Sequence, residues 1–240
     1  MGNLITKKIQ GLKTINDNLK FHKDYKPLIL THYITFPHKL EGLKLWEGGI
    51  VLLRYLLTNP EKFKNKKTMD LGAGMGIVGI GMAKYLDCDV VMTDYIQEVL
   101  TICEENTFKN EPYQHFPKVE KLDWNDHKDL KEQKYDLIIG CELVYSITDC
   151  DNLVELIKKL LKNDSKMLMI IPTCRAYGPA FLEKLKAIGT FEIHEEILDD
   201  PYYLEDPSGD KKVFYPLQEL TFKMLEITFS EVNKPSLPLK

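Results

Sequence analysis

Thr68-Met69-Asp70-Leu71-Gly72-Ala73-Gly74-Met75-Gly76-Ile77-Val78-Gly79 is the stretch that decides the fold of this chain. A short β-type run, Thr68–Leu71, meets three glycines separated by single residues and passes into a helical pattern, Gly76–Leu86. Glycine at such a junction permits a tight turn and lets a ligand approach the backbone. Working outward, β-type runs follow at Asp89–Thr93, Lys118–Leu122, Tyr135–Gly140 and Met167–Ile171. Helical patterns lie between or after them at Ile96–Lys109, Cys150–Leu161 and Pro179–Ile188. That alternation requires βαβ crossovers and a parallel sheet covered on both faces. The end differs, because Phe191–Leu198 and Leu220–Phe229 read as two strands joined by a turn-rich segment, an antiparallel hairpin. The expected architecture is therefore α/β: a doubly wound, seven-stranded, mostly parallel sheet with a C-terminal antiparallel hairpin. Upstream, Leu45–Leu57 reads as an apolar helix, followed by the polar segment Asn59–Lys67.

Composition narrows the function classes. Across 240 residues, 32 Lys+Arg stand against 36 Asp+Glu, a net charge of −4, which gives no reason to expect a nucleic-acid partner. Hydrophobic residues at 44% are too many for a disordered chain. No apolar run approaches the roughly 18 residues of a membrane span, and the start lacks an apolar signal-peptide core. Cys88, Cys103, Cys141, Cys150 and Cys174 are odd in number and scattered, with no C-x-x-C pair. That pattern argues against a disulfide framework and a zinc site, so no metal is expected, and reduced thiols point to a cytoplasmic or nuclear setting.

Residues 1–26 form a basic arm, with Lys7, Lys8, Lys13, Lys20, Lys23 and Lys26 against Asp17 and Asp24. Met1-Gly2-x-x-x-Thr6 fits an N-myristoylation pattern, and the arm could supply a second membrane signal; the alternative is a flexible soluble arm. The division expected is a lead-in over 1–44, the main domain over 45–230 and a tail over 231–240.

The glycine loop leaves two ligand classes to weigh. Gly74-x-Gly76-x-x-Gly79, with Asp94 about 20 residues further on, formally matches the dinucleotide fingerprint. A dinucleotide loop presents amides and a helix dipole to a pyrophosphate, so a carboxylate at its mouth is unfavourable. Asp70 stands just before the glycines and suits a cation instead. S-adenosylmethionine carries a sulfonium and an amino group and no phosphate, which makes it the preferred ligand. Asp94 ends the second β-type run of the alternating region, where an acid can accept both ribose hydroxyls; it can also cap the next helix. Leu122-Asp123-Trp124 closes the third run, where Trp124 can flank an adenine and Asp123 can meet its amino group, or Trp124 can simply pack.

Taken together, Leu45-Trp46-Glu47, the loop Asp70–Ile80, Thr93-Asp94, Leu122-Asp123-Trp124 and Gly140-Cys141-Glu142-Leu143-Val144-Tyr145 stand in the order and spacing of one group. From Leu45 to Thr173 the chain resembles the seven-strand protein-lysine methyltransferases of the methyltransferase-like 21 type, whose fold is Rossmann-like. The resemblance implies that Trp46, Gly72, Ala73, Gly74, Asp94, Trp124 and Cys141 contact the methyl donor, and that Glu142 and Tyr145, an acid-x-x-Tyr motif, face the substrate amine. Three positions depart from the commonest pattern: Asp70 stands for Glu, Glu47 for Asp and Cys141 for Ala. The substrate implied is a protein lysine, with a chaperone, an elongation factor or an AAA-type ATPase as the carrier. A monomer without stable membrane insertion is expected. A small-molecule or nucleic-acid methyltransferase and a non-catalytic adaptor are the rival readings on the same fold.

Glu192–Asp210 holds Glu192, Glu195, Glu196, Asp199, Asp200, Glu205, Asp206 and Asp210 with no Lys or Arg. Such a run either steers a basic substrate segment or is a solvated loop. Tyr202 and Tyr203 offer contact area for a lysine stem.

Overall fold

The computed structural model describes residues 14–33, 40–126, 130, 134–162, 164–198, 202 and 220–229. Strands β1 (Thr14–Leu19) and β2 (Leu28–Tyr33) pair antiparallel with Leu19 opposite Leu28. After a short turn at Glu41–Leu43 come helices α1 (Glu47–Thr58) and α2 (Pro60–Phe63), then β3 (Lys67–Leu71) and α3 (Ile77–Tyr85). The chain continues through β4 (Asp89–Asp94), α4 (Gln97–Lys109), β5 (Lys118–Lys121) and β6 (Leu137–Cys141). It ends with α5 (Ile147–Leu160), β7 (Lys166–Pro172), α6 (Gly178–Ala187), β8 (Phe191–Ile197) and β9 (Phe222–Phe229).

Seven strands form one sheet in the order β5-β4-β3-β6-β7-β9-β8. The first five of that order are parallel, and β9 runs antiparallel to both β7 and β8. The expected architecture and the terminal hairpin are both borne out. Alternation along each central strand divides the core into two layers. Val90, Met92, Leu137, Ile139, Leu168 and Ile170 pack with residues of α1, α3 and α4. Met69, Val91, Ile138, Met167 and Met169 face the opposite layer, with α5 and α6. Strands buried on both faces must be apolar throughout, which is why these runs read as continuous hydrophobic segments. Among the described residues no helix is long and apolar enough to cross a membrane.

On the N-terminal side, Leu19, Leu28 and Leu30 of the lead-in are fully buried in the main core. Helix α4 holds β2 by side chains that imitate a neighbouring strand. Asn106 Oδ1 accepts the Thr31 N–H at 2.7 Å and its Nδ2 donates to the Thr31 carbonyl at 3.1 Å. One turn later, Asn110 does the same for Ile29, at 2.9 and 2.7 Å. A strand edge needs its amides and carbonyls satisfied, and two asparagines four residues apart, one in the helix and one at its C-cap, meet that need. Helix α5 begins at Ile147, three residues before the expected start, because Ser146 Oγ accepts the Asp149 N–H and caps it. Helix α1 begins at Glu47 because Trp46 is extended. The myristoylation pattern, Lys7, Lys8, Lys13 and the tail over 231–240 lie outside the described residues.

Candidate active site

The parallel strands end at a common edge, where Leu71 lies opposite Thr93 and Gly140, and Cys141 opposite Ile170. Strand order reverses between β3 and β6, and the crevice at such a switch point is where doubly wound sheets bind ligands. The residues singled out in the sequence stand at or just past the C-terminal ends of β3, β4, β5 and β6 and so meet on this edge, except Trp46, which immediately precedes α1.

The loop after β3 takes its shape from glycines at φ 64 (Gly72), 55 (Gly74) and 87 (Gly76). Ala73 donates its N–H to the Thr93 carbonyl at 2.8 Å, pinning the loop to the end of β4. A Cβ on Gly72 would lie 2.7 Å from Leu143 Cδ2 and 3.3 Å from Trp124 Cζ2, so Trp124 rests against the loop. At Gly74 a Cβ would lie 3.0 Å from the Gly42 carbonyl, which brings the Glu41–Leu43 turn onto the loop from the lead-in.

Asp94 is 8% exposed. Its Oδ2 accepts the Gly74 N–H at 3.2 Å and its Oδ1 the Ile96 N–H at 3.1 Å. Burial raises its pKa, and the amides of Ile96, Gly74 and Tyr95 oppose that rise. The N-cap of α4 is Ile96, so Asp94 serves the turn before the helix rather than standing at the cap itself. Asp70 differs from its expected position. Its carboxylate lies beneath the loop, not at the mouth, buried to 3% and accepting the Gly79 N–H at 2.9 Å. Burial, opposed by the Gly79 bond and reinforced by Asp94, lifts its pKa to about 7.

Trp46 donates its indole N–H to the Glu41 carbonyl at 2.9 Å, and Lys44 Nζ sits 4.3 Å from its ring centroid while pairing with Glu47 at 3.5 Å. Asp123 Oδ1 already accepts from the backbone and side chain of Asn125, at 2.8 and 3.0 Å, so its position at the crevice is shared with a local turn. Cys141 is half-buried at the end of β6, and burial, then Asp70 and Glu142, push its thiol well above its usual pKa.

The acid-x-x-Tyr motif is placed in a way its residue types do not reveal. Glu142 has φ 53 and is 4% exposed, and its own N–H donates to the Ile170 carbonyl at 2.9 Å. Its Oε1 accepts the Gly48 N–H in the first turn of α1, and its Oε2 pairs with Arg175, each at 2.8 Å. Burial raises its pKa; the Gly48 bond and Arg175 oppose that, and Glu47 adds to it. Tyr145 is 44% exposed, and the Arg175 guanidinium lies 5.6 Å from its ring centroid. Glu142 and Tyr145 are thus brought together through a third residue. Arg175 follows the end of β7 at the same edge of the sheet, and that placement is the one signal by which the sequence could have offered it.

The acidic C-terminal segment is less open than its composition implies. Glu195 is paired with Lys186 and Lys223, both at 2.7 Å, so lysines from α6 and β9 neutralise it. Tyr202 packs its ring 5.5 Å from Tyr55 of α1, and its carbonyl accepts from Arg54 at 3.1 Å. Tyr203, Asp199, Asp200, Glu205, Asp206 and Asp210 lie outside the described residues.

These residues fit a nucleoside ligand that carries positive charge. The glycine loop leaves room only for backbone at Gly72, an oriented carboxylate stands at the end of β4, and Trp124 flanks the loop. Among the described residues no group of three or more His, Cys, Asp or Glu could hold a metal ion.

Comparison with known proteins agrees. The sequence profile of a family described as lysine methyltransferase matches residues 38–188. Protein N-lysine methyltransferase METTL21A of Danio rerio is 32% identical over 134 residues, covering 55% of this chain and 59% of that protein. Its counterpart in Xenopus tropicalis is 27% identical over 207 residues, 85% of either chain. EEF1A lysine methyltransferase 3 of Xenopus tropicalis is 33% identical over 42% of this chain and 44% of its own length. The matched part of the chain thus spans from under half to about three fifths of the first of these relatives. Solved structures share the fold at low identity. A methyltransferase from Pyrococcus furiosus superposes with a TM-score of 0.53 at 14% identity, over 74% of this chain and 82% of that one. The ribosomal protein L11 methylase of Lactobacillus delbrueckii subsp. bulgaricus gives 0.52 at 20%, over 75% and 79%. The chain belongs to the lysine methyltransferase family.

Proposed function

We propose that the protein is an S-adenosylmethionine-dependent protein-lysine N-methyltransferase. The observation that carries this reading is the meeting of the glycine loop, Asp94 and the Glu142–Tyr145 pair at one switch-point crevice, in a chain of this family. When bound, the donor supplies an electrophilic methyl on a sulfonium, and no metal or covalent nucleophile is needed. Asp94 accepts the ribose hydroxyls, Gly72 to Gly74 let the donor approach the backbone, and Trp46 and Trp124 flank it. Asp123 and Cys141 complete the donor side, and Asp70 sets the loop and the field beneath it.

A free lysine, with a pKa of about 10.4, is neutral only about once in 2,500 molecules at pH 7. The site must therefore draw in an ammonium and then release its proton. Glu142 attracts the ammonium and offers a place for the proton, and the exposed ring of Tyr145 guides the aliphatic stem. Aligning the amine with the methyl supplies much of the rest, since well-oriented reactants gain about 7–11 kcal/mol.

The substrate is a protein lysine. The chain's relatives include an EEF1A lysine methyltransferase and, in Arabidopsis thaliana, a calmodulin-lysine N-methyltransferase. An elongation factor is accordingly the first carrier to test, with a chaperone and an AAA-type ATPase after it. The enzyme acts as a monomer in the cytoplasm. Incubating the protein with labelled donor and cell extract, then mapping the labelled residue by mass spectrometry, tests this. Label on lysine of a protein supports the reading. Label only on RNA or on small molecules transfers the chain to another substrate class, and absence of donor binding by calorimetry leaves an adaptor.

A further inference from the structure

We propose that Arg175 is a positioning residue for methyl transfer, holding the Glu142 carboxylate between the N-terminus of α1 and the Tyr145 ring. The proposal rests on the reading of the crevice as a lysine methyl-transfer site.

Glu142 is a carboxylate that the fold has taken out of water at 4% exposure, with both oxygens committed. Gly48 supplies a backbone amide from the positive end of α1, and Arg175 supplies the full positive charge, each at 2.8 Å. A buried carboxylate without a compensating charge takes up a proton instead of remaining ionised. Among the described residues, Arg175 is the cation that acts on this carboxylate. From α1 comes Glu47, which opposes ionisation; from its own segment come Cys141 and Tyr145. Arg175 alone among these favours the carboxylate.

The same guanidinium lies 5.6 Å from the Tyr145 ring centroid, so one side chain touches both members of the motif. An arginine can bond a carboxylate through its edge while presenting its plane to an aromatic ring; a lysine ammonium, a point charge, supplies only the charge. The loop carrying Arg175 is itself anchored. Its N–H donates to the Pro172 carbonyl at 3.0 Å and its carbonyl accepts from Gly178 at 3.1 Å. Thr173 donates through its N–H and its hydroxyl to the Thr221 carbonyl, at 2.8 and 3.0 Å, tying the loop to the start of β9. The antiparallel C-terminal hairpin thereby reaches the reacting end of the site through Arg175.

The test uses the full chain and the variants Arg175→Met, Arg175→Lys, Glu142→Gln and the Met/Gln double variant. Donor affinity is measured by calorimetry, thermal melting from pH 5 to 9, and initial rates of labelled methyl transfer to cell-extract protein over the same range. Arg175→Met is expected to keep donor affinity within about twofold of wild type. Its rate relative to wild type should rise with pH, about tenfold for each unit by which Glu142 is shifted upward. Arg175→Lys should restore most of the low-pH rate. The melting deficit of Arg175→Met should grow as pH rises and shrink in the Glu142→Gln background, where no buried charge remains. A rate ratio that does not change with pH, or melting effects that add independently of Glu142, overturns the proposal. Wild-type protein that methylates no lysine overturns the methyl-transfer reading and the role of Arg175 with it. Transfer with an unaltered profile in Arg175→Met overturns the role of Arg175 alone.

Discussion

Asp94 and Gly74 hold each other: the acid at the end of the second parallel strand accepts the amide from the middle of the glycine loop at 3.2 Å. The acid proposed to hold the donor ribose and the loop proposed to approach the donor are therefore joined by a direct bond. Hydrogen bonds to a charged group are worth about 1.5–3 kcal/mol. Asp94→Ala should weaken S-adenosylmethionine binding about 10- to 150-fold, read by calorimetry on a variant shown to be folded by its melting curve. An unchanged affinity would remove Asp94 from the site.

Asp70 carries a stability signature with a definite sign. Its folded pKa of about 7 lies above the roughly 3.9 of an unfolded aspartate. Between those values the folded chain holds a proton that the unfolded chain has lost. The contribution of Asp70 to ligand-free stability then falls as pH rises from about 4 to about 7 and levels off above it. Asp70→Asn keeps an acceptor for the Gly79 amide and has no charge to bury. Its melting temperature relative to wild type should climb across that window and stay high at pH 8. Parallel melting curves for the two proteins from pH 4 to 8 would show that Asp70 is not the group responsible.

Asn106 joins the N-terminal hairpin to the glycine loop, because its Nδ2 donates to the carbonyls of both Thr31 and Met75, at 3.1 and 3.2 Å. With its bond from the Thr31 amide it makes three contacts at a fully buried position. Asn106→Ala should cost about 2–4 kcal/mol in denaturant unfolding, at about 1 kcal/mol for each bond lost. Asn110→Ala, which frees Ile29 from the helix without touching the loop, should weaken donor binding less than Asn106→Ala does. Equal donor affinities for the two variants would mean that the hairpin stabilises the fold without acting on the loop.

Glu142→Gln should slow methyl transfer by about 10² or more if the carboxylate accepts the proton, while donor affinity stays near wild type. Gly48→Ala provides a second approach to the same group. A Cβ there would lie 2.8 Å from Glu142 Oε1 and 2.9 Å from its Cγ, so the carboxylate must shift. Both variants should lose rate at saturating donor, and wild-type turnover in Glu142→Gln would exclude this acid from the chemistry.

The alternation of short apolar runs with helical ones was sufficient, read from residues alone, to establish a doubly wound sheet and its C-terminal hairpin. The reason is local: a strand buried on both faces has to be apolar throughout, and glycines in a left-handed conformation have to stand where strand turns to helix. Asp94 and the glycine loop were legible for the same reason, since the ends of adjacent parallel strands fall on one edge whatever the side chains are. Tertiary structure decided what each charge faces. Asp70 lies under its loop because Gly79, nine residues on, offers an amide there. Glu142 meets Gly48, 94 residues earlier, and Arg175, 33 residues later, through packing that no spacing encodes. The hairpin over 14–33 was invisible as well. Its strand edge is satisfied by asparagines of α4, 75 and 81 residues away, and a polar side chain on a helix does not disclose which backbone it will pair with. Periodicity reports which face of an element is buried; the partner of a buried polar group is set only when distant elements come into contact.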